Sequence, residues 1–367
     1  MGTGRHGKRR HGTRALGGRT FIIGASVAAL AVVAVLGLVV VSGGSGDADP
    51  TTTTATPTTA APTTVTEPAP PPPTWPLTGL PVDDPAALDR PALAVKIDNA
   101  DQGGARPQVG INQADVVYEE PVEGGVTRFM AVFHSQDSQP IGPVRSGRST
   151  DIPIFSALNR PMFAWSGSNE FMAAEIRASN MVDVGHTPAV DQYYRDSSRA
   201  APHNLFIQGY LAMVAAHRAD AGLPPALFAF RAPGIEPVGD PVAHVDLSYG
   251  GSGAVPVSYD WNGTGWARTQ NGRPHVDGAG VQVAPENIVV QFVEYVGYSR
   301  GPHIPVGQTV GEGEVWVLTD GVRVVGRWVK PTPEAVTQYL LPDGSPIELT
   351  PGRTWVALVP PGGATVS

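Results

Sequence analysis

The residues best suited to chemistry crowd into one stretch, Val95 to Asp151, VKIDNADQGGARPQVGINQADVVYEEPVEGGVTRFMAVFHSQDSQPIGPVRSGRSTD. Within it, Gly142-Pro143-Val144-Arg145-Ser146-Gly147-Arg148-Ser149 sets two guanidinium groups three residues apart, with hydroxyls and flexible backbone between them. A guanidinium is a planar fork of donors that matches a carboxylate or a phosphate. A helix beginning near Asp151 would add its positive end. The competing reading pairs Arg145 and Arg148 internally with Glu119, Glu120 or Glu123. Tyr118-Glu119-Glu120, with Asp115 and Glu123, supplies neighbouring carboxylates. Two carboxyls flanking a bond are what a glycosidase needs; solvated acids at a strand end are the plainer alternative. Ala201-Pro202-His203-Asn204-Leu205 and Val184-Gly185-His186-Thr187 each place an imidazole beside turn residues. There it can act as a general base or sit buried and hydrogen-bonded. The candidate ligand-binding set is Asn99, Arg106, Glu119, Arg128, Arg145, Ser146, Arg148, His203 and Asn204. No catalytic residue is assigned.

Several strong signatures are missing. The sequence has no G-x-S-x-G elbow, H-E-x-x-H pair, P-loop or S-x-x-K run. Its nine His never fall three or four residues apart. Without Cys there is no thiol nucleophile, disulfide or thiolate metal site. No metal and no cofactor are expected.

These groups need a scaffold. Ala92–Asp98, Ala114–Glu120 and Val126–Ser135 read as strands, rich in β-branched and aromatic residues and bounded by Gly, Pro and Asn. The candidate residues fall at the ends of such runs, where scaffolds usually display binding groups. Asp151 with Pro153 marks a helix start, Met162–Ser166 a short buried strand, and Ser168 a cap for a helix over Asn169–Ser179. A longer helix is expected over Ile207–Ala221, with Tyr210, Val214 and His217 on one stripe. Beyond about Phe230 the pattern becomes hairpins, with Asn-Gly at 262–263 and 271–272 and Asp-Gly at 320–321 and 343–344. The expected fold class is α+β: a mixed α/β domain over 75–230, then a mainly antiparallel β domain over 231–367.

The N-terminal segments look like delivery apparatus. Residues 1–19 carry 6 of the chain's 25 Lys and Arg and no acid. The remaining 19 basic and 33 acidic residues leave a formal charge of −14, which disfavours nucleic acid as a partner. Residues 21–41 are apolar or small without a charge, long enough to span a bilayer. The basic flank places the N-terminus in the cytoplasm and the body outside. A transmembrane anchor over 20–42 is therefore expected, with a cleaved signal peptide as the rival. Residues 43–74 form a Thr/Pro-rich linker with almost nothing to bury, expected to be extended and disordered.

P-L-T-G-L-P at 76–81, A-V-K-I-D-N at 94–99, R-P-Q-x-G at 106–110, A-D-V-V-Y-E at 114–119, G-P-V-R-S-x-R at 142–148 and A-P-H-N-L at 201–205 resemble the YerB-like lipoproteins. So do G-E-V-W-V-L-T-D-G at 313–321, G-R-W at 326–328 and P-G-x-T-W at 351–355. The resemblance covers about residues 75–360. It implies an extracytoplasmic two-domain protein of uncharacterised activity, so it carries over no catalytic residues. Those lipoproteins carry a lipid-modified Cys; here the apolar segment stands in its place. The expected role is a membrane-tethered envelope module, cell-membrane located, that binds an anionic or carbohydrate cell-wall ligand. A cell-wall hydrolase or transferase and a protein-interaction scaffold are the alternatives.

Overall fold

The computed structural model describes residues 72–101, 103–251 and 254–367. The basic tail, the anchor at 21–41 and nearly all of the linker lie outside these residues. Among the described residues no helix is long and apolar enough to cross a membrane.

The architecture is α+β and mostly β. Strands β1 (Leu93–Asp98), β2 (Val116–Pro121) and β3 (Thr127–Phe133) form where the apolar runs stood. They are buried on both faces, which is why β1 reads as a nearly continuous apolar run rather than an alternating one. β3 lies between β2 and β1, antiparallel to both. β4 (Met162–Ala164) and β5 (Val182–Asp183) add in parallel beyond β1. On the far side of β2 the strand Thr354–Val359 pairs in parallel, followed by Asn287–Phe292 and the long hairpin Gly311–Thr319 and Val322–Lys330. The result is one 11-stranded mixed sheet. A five-stranded sheet that includes His244–Leu247, Val257–Trp261 and Trp266–Gln270 accompanies it.

The large sheet separates two hydrophobic clusters. Leu93, Val95, Ile97, Val117 and Phe129 face Val245, Val257, Tyr259 and Trp266 of the smaller sheet. Ala94, Val116, Met130 and Val132 face the helices α1 (Asp151–Ser156) and α2 (Glu170–Ala178). Helix α3 (Tyr210–His217) buries Tyr210, Met213 and Val214 in the first cluster. Strands from both sides of residue 230 therefore share one sheet and both clusters. The halves expected at 75–230 and 231–367 do not keep separate cores, because β2 recruits a strand from near the C-terminus.

Local details depart from the sequence expectations in instructive ways. Asn169, not Ser168, caps α2, its Oδ1 accepting from the Met172 amide at 2.9 Å. The Ser168 hydroxyl instead donates to the Gly147 carbonyl at 3.1 Å. Asn169→Ala should therefore cost about 1 kcal/mol in a denaturation curve, and Ser168→Ala much less. The helix expected from Ile207 starts at Tyr210, because Leu205–Ile207 is a short strand paired with Tyr193–Arg195. Of the four hairpin pairs, Asn271-Gly272 and Asp320-Gly321 hold both residues at positive φ, as a type I′ turn demands. At 262–263 and 343–344 only the glycine does.

Candidate functional site

Side chains alternate across a strand, and this distributes the charged residues of β1–β3 to opposite faces. Glu119 points to the small sheet and Glu120 to the helices. The paired-carboxylate reading of Glu119-Glu120 thus meets a sheet standing between the two groups.

On the small-sheet side Glu119 is fully buried. Its Oε1 accepts from Arg268 Nη2 and from the Thr127 hydroxyl, each at 2.7 Å, and its Oε2 from Trp355 Nε1 at 3.0 Å. Arg268 is also fully buried and stacks near Phe129, Tyr259 and Trp355, 5.2–5.8 Å from their ring centres. Its Nη1 donates to Gln270 Oε1 at 2.8 Å and to His275 Nδ1 at 2.7 Å. Arginine has no acceptor, so His275 accepts at Nδ1 and donates from Nε2 to Gln108 Oε1, 2.8 Å away. Burial, then Arg268, hold His275 well below its ordinary range, so the ring is neutral. Asn99 closes the network, donating to Thr127 and Gln270 and accepting from Gln108. This network joins residues from both halves of the chain and is sealed from solvent.

On the helix side lies a different arrangement. Three guanidinium groups gather where β1 and β2 end and β3 begins. Arg128 stands across from Asp98 and Glu120 in register. Arg145 Nε approaches Asp98 Oδ2 at 3.0 Å, off the hydrogen-bond direction. The same carboxylate oxygen receives His203 Nδ1 at 2.6 Å. Arg148 donates from Nε and Nη2 to Glu123 Oε2, at 3.1 and 2.7 Å. Its Nη1 is fixed to the carbonyls of Ser146 and Gly147. Ser146 takes part through that carbonyl, which also accepts from Arg128 Nη1 at 3.2 Å. Gly103, at φ 86°, lets the backbone lie against the His203 ring, which a Cβ would clash with at 2.4 Å.

Arg128 is poorly satisfied for so buried a group: it is 8 % exposed, its Nε has no acceptor, and its one hydrogen bond goes to a neutral carbonyl. Burial, then Arg148 and Arg145, push its pKa down to about 10. Glu123 differs: burial alone would raise its carboxyl, but the Arg148 hydrogen bond holds it below the usual range. Behind the arginines Lys96 Nζ bonds Glu120 and, at 2.7 Å, Asp151 Oδ1, all three residues at most 2 % exposed. Asp151 Oδ2 accepts the Arg148 amide at 2.7 Å. The helix start expected to receive an external anion is thus occupied by the protein's own Asp151. Four basic groups face Asp98, Glu120, Glu123 and Asp151. Burial raises the Glu120 carboxyl, with Lys96 opposing.

Of the sequence candidates, Arg128, Arg145, Ser146, Arg148 and His203 converge here. Asn99 and Glu119 belong to the sealed network behind the sheet. Arg106 pairs with Asp101, and Asn204 accepts from Arg195 at 2.8 Å and donates to the Arg199 carbonyl. Lys96 and Asp98 were missed, although a lone Lys inside Ala94-Val95-Lys96-Ile97 is a signal that a strand buries a charge. Among the described residues no cluster of His, Asp and Glu has metal-binding geometry.

The chain folds into an α+β body, and profiles of a protein family of unknown function, DUF3048, match it twice. The N-terminal domain matches residues 77–222 and the C-terminal domain residues 245–356. The chain belongs to this family. It is 27 % identical over 301 residues to "Putative lipoprotein YerB" of Bacillus subtilis, covering 78 % of this chain and 86 % of that protein. The crystal structure of the Bacillus subtilis YerB protein superposes with a TM-score of 0.69 at 23 % identity, over 80 % of this chain and 99 % of that one. The likeness establishes a shared fold.

Proposed function

We propose that this chain is a membrane-tethered, extracytoplasmic binding module that holds an anionic group of a cell-envelope ligand at Arg128, Arg145 and Arg148. The observation that carries the reading is Arg128: a nearly buried guanidinium, flanked by two others, with an unpaired Nε. Arg128 stands across from Asp98 and Glu120 but hydrogen-bonds neither carboxylate, and a buried charge without such a partner is costly, so the site is better satisfied with an anion present. The tether rests on residues 21–41 and on the lipoprotein description of the Bacillus relative.

Arg145 is the member to test, because its side chain is 23 % exposed and its ion pair is poorly aligned. Arg145→Ala should weaken binding of inorganic phosphate or D-glucuronate by about tenfold or more, with a melting temperature close to that of the parent. A large fall in melting temperature with anion binding intact would refute the reading. A hydrolase or transferase reading draws on one feature, the Asp98–His203 pair, which orients an imidazole beside Arg145. Incubation with purified cell wall separates the two: soluble fragments favour catalysis, and retention without release favours binding.

A further inference from the structure

We infer that the Glu123 carboxylate is a built-in occupant of the Arg148 fork, and that a ligand carboxylate displaces it while the rest of the ligand lies in the adjoining groove. This rests on the anion-binding reading above. Glu123 belongs at once to the arginine cluster and to the wall of a groove of about 590 Å³. That volume lies in the ordinary range for small-molecule sites. The groove is bounded by the Glu123–Gly125 turn, by Tyr249 to Gly251, and by Tyr295, Val296 and Pro305 of a neighbouring hairpin.

The two partners of this ion pair are held very differently. Arg148 is 7 % exposed and anchored by its Nη1 to two carbonyls, whereas Glu123 is 36 % exposed. Glu123 stands on a single 3₁₀ turn with Gly124 at φ 81° and Gly125 at φ 76°. A Cβ added at Gly124 would meet nothing within 4 Å, so the tip of the turn beside Glu123 is open. Glu123 can therefore swing into water while Arg148 stays in place. With Glu123 out, Arg128, Arg145 and Arg148 face Asp98 alone in the front of the site, and Arg148 Nε and Nη2 are free for an incoming carboxylate. The group already seated there is a carboxylate bound through one oxygen, which makes a carboxylate the matching ligand chemistry. The groove walls are mostly glycine backbone, tyrosine, valine and proline, with His303 the other imidazole or acid beside Glu123. They suit an otherwise neutral, extended body such as a sugar acid.

The test uses the full chain with D-glucuronate as probe, and glucose and acetate as controls. Glu123→Gln removes the competing charge and should tighten glucuronate binding about three- to tenfold without making glucose bind. Val296→Trp, half-exposed on the groove wall, should weaken glucuronate and leave acetate unchanged. Equal glucuronate affinity in the parent and Glu123→Gln overturns displacement while leaving anion binding standing. Absence of binding in both, together with no phosphate binding, overturns both readings. Unchanged glucuronate affinity in Val296→Trp removes the groove from the ligand's path. A strongly lowered melting temperature in Glu123→Gln would make the ion pair a structural strut and overturn its role as a displaceable occupant.

Discussion

Arg268→Ala should be among the most destabilising single changes in the described body, costing about 3–5 kcal/mol. For a body of this size that corresponds to a fall in melting temperature of roughly 6–10 °C. The reason is what remains. Glu119 would keep the Thr127 hydroxyl and the Trp355 indole but lose its directly bonded counter-charge, in a place with no access to water. Gln270 and His275 would each lose the guanidinium donor. Three aromatic rings packed about the guanidinium would line a void. A buried ion pair is nonetheless poor evidence of net stabilisation, because desolvation offsets much of its attraction. The double change Arg268→Met with Glu119→Leu should therefore be milder than either Arg268→Ala or Glu119→Ala. Chemical denaturation of the parent, Arg268→Met, Glu119→Leu and the double variant measures the coupling directly. If Arg268→Ala melts within about 2 °C of the parent, the network is not a structural clasp between the halves of the chain.

The sequence made the strands legible and left their partners obscure. β1, β2 and β3 announce themselves because buried strands select β-branched and aromatic residues. Nothing local in Val116–Pro121 says that it pairs with Thr354–Val359, more than 230 residues away; that pairing depends on the closure of the whole sheet. Trp266-Ala267-Arg268-Thr269-Gln270 shows the same limit. Its alternation is real, with Trp266, Arg268 and Gln270 buried and Ala267 and Thr269 less so. The polarity is inverted, because the inward Arg and Gln meet Glu119 and Asn99 from another element. An alternation rule that assigns polar residues to solvent misplaces such a face. In the site, Arg145 and Arg148 were recognisable from guanidinium chemistry and a glycine-rich run. That Glu119 and Glu120 part company follows from the period of two, but what each one meets does not. Asp98, the acid shared by Arg145 and His203, looked like the ordinary polar end of a strand.

Lys96→Met tests the rear of the site and should have a comparable effect with a distinct pH signature. Lys96 is the only cation hydrogen-bonded to both Glu120 and Asp151 among the described residues, and none of the three is more than 2 % exposed. The Glu120 carboxyl is already raised, by burial first and by Asp151 as well, while Lys96 pulls it down. Methionine fills much the same space without the charge, so the Glu120 carboxyl should rise further. A carboxyl whose folded pKa lies above its unfolded value, about 4.3 for Glu, keeps a proton that the unfolded chain has released. Its contribution to stability is complete below the unfolded value and is lost as pH rises through the folded one. Near neutral pH, Lys96→Met should thus lose about 3–5 kcal/mol. The gap to the parent should narrow as pH falls toward 5. Comparing the two proteins at each pH cancels the titrations they share. Adding Glu120→Gln to Lys96→Met should recover part of the loss at neutral pH and flatten the pH dependence. A gap that stays constant or widens on acidification would show that Lys96 acts by packing and not by charge. The effect should also reach the arginines. Asp151 binds Lys96 through one oxygen and the Arg148 amide through the other, so losing Lys96 frees one side of the carboxylate that holds the loop aiming Arg148. Anion affinity in Lys96→Met, measured with the phosphate used for Arg145→Ala, should therefore fall even though Lys96 never reaches the open face.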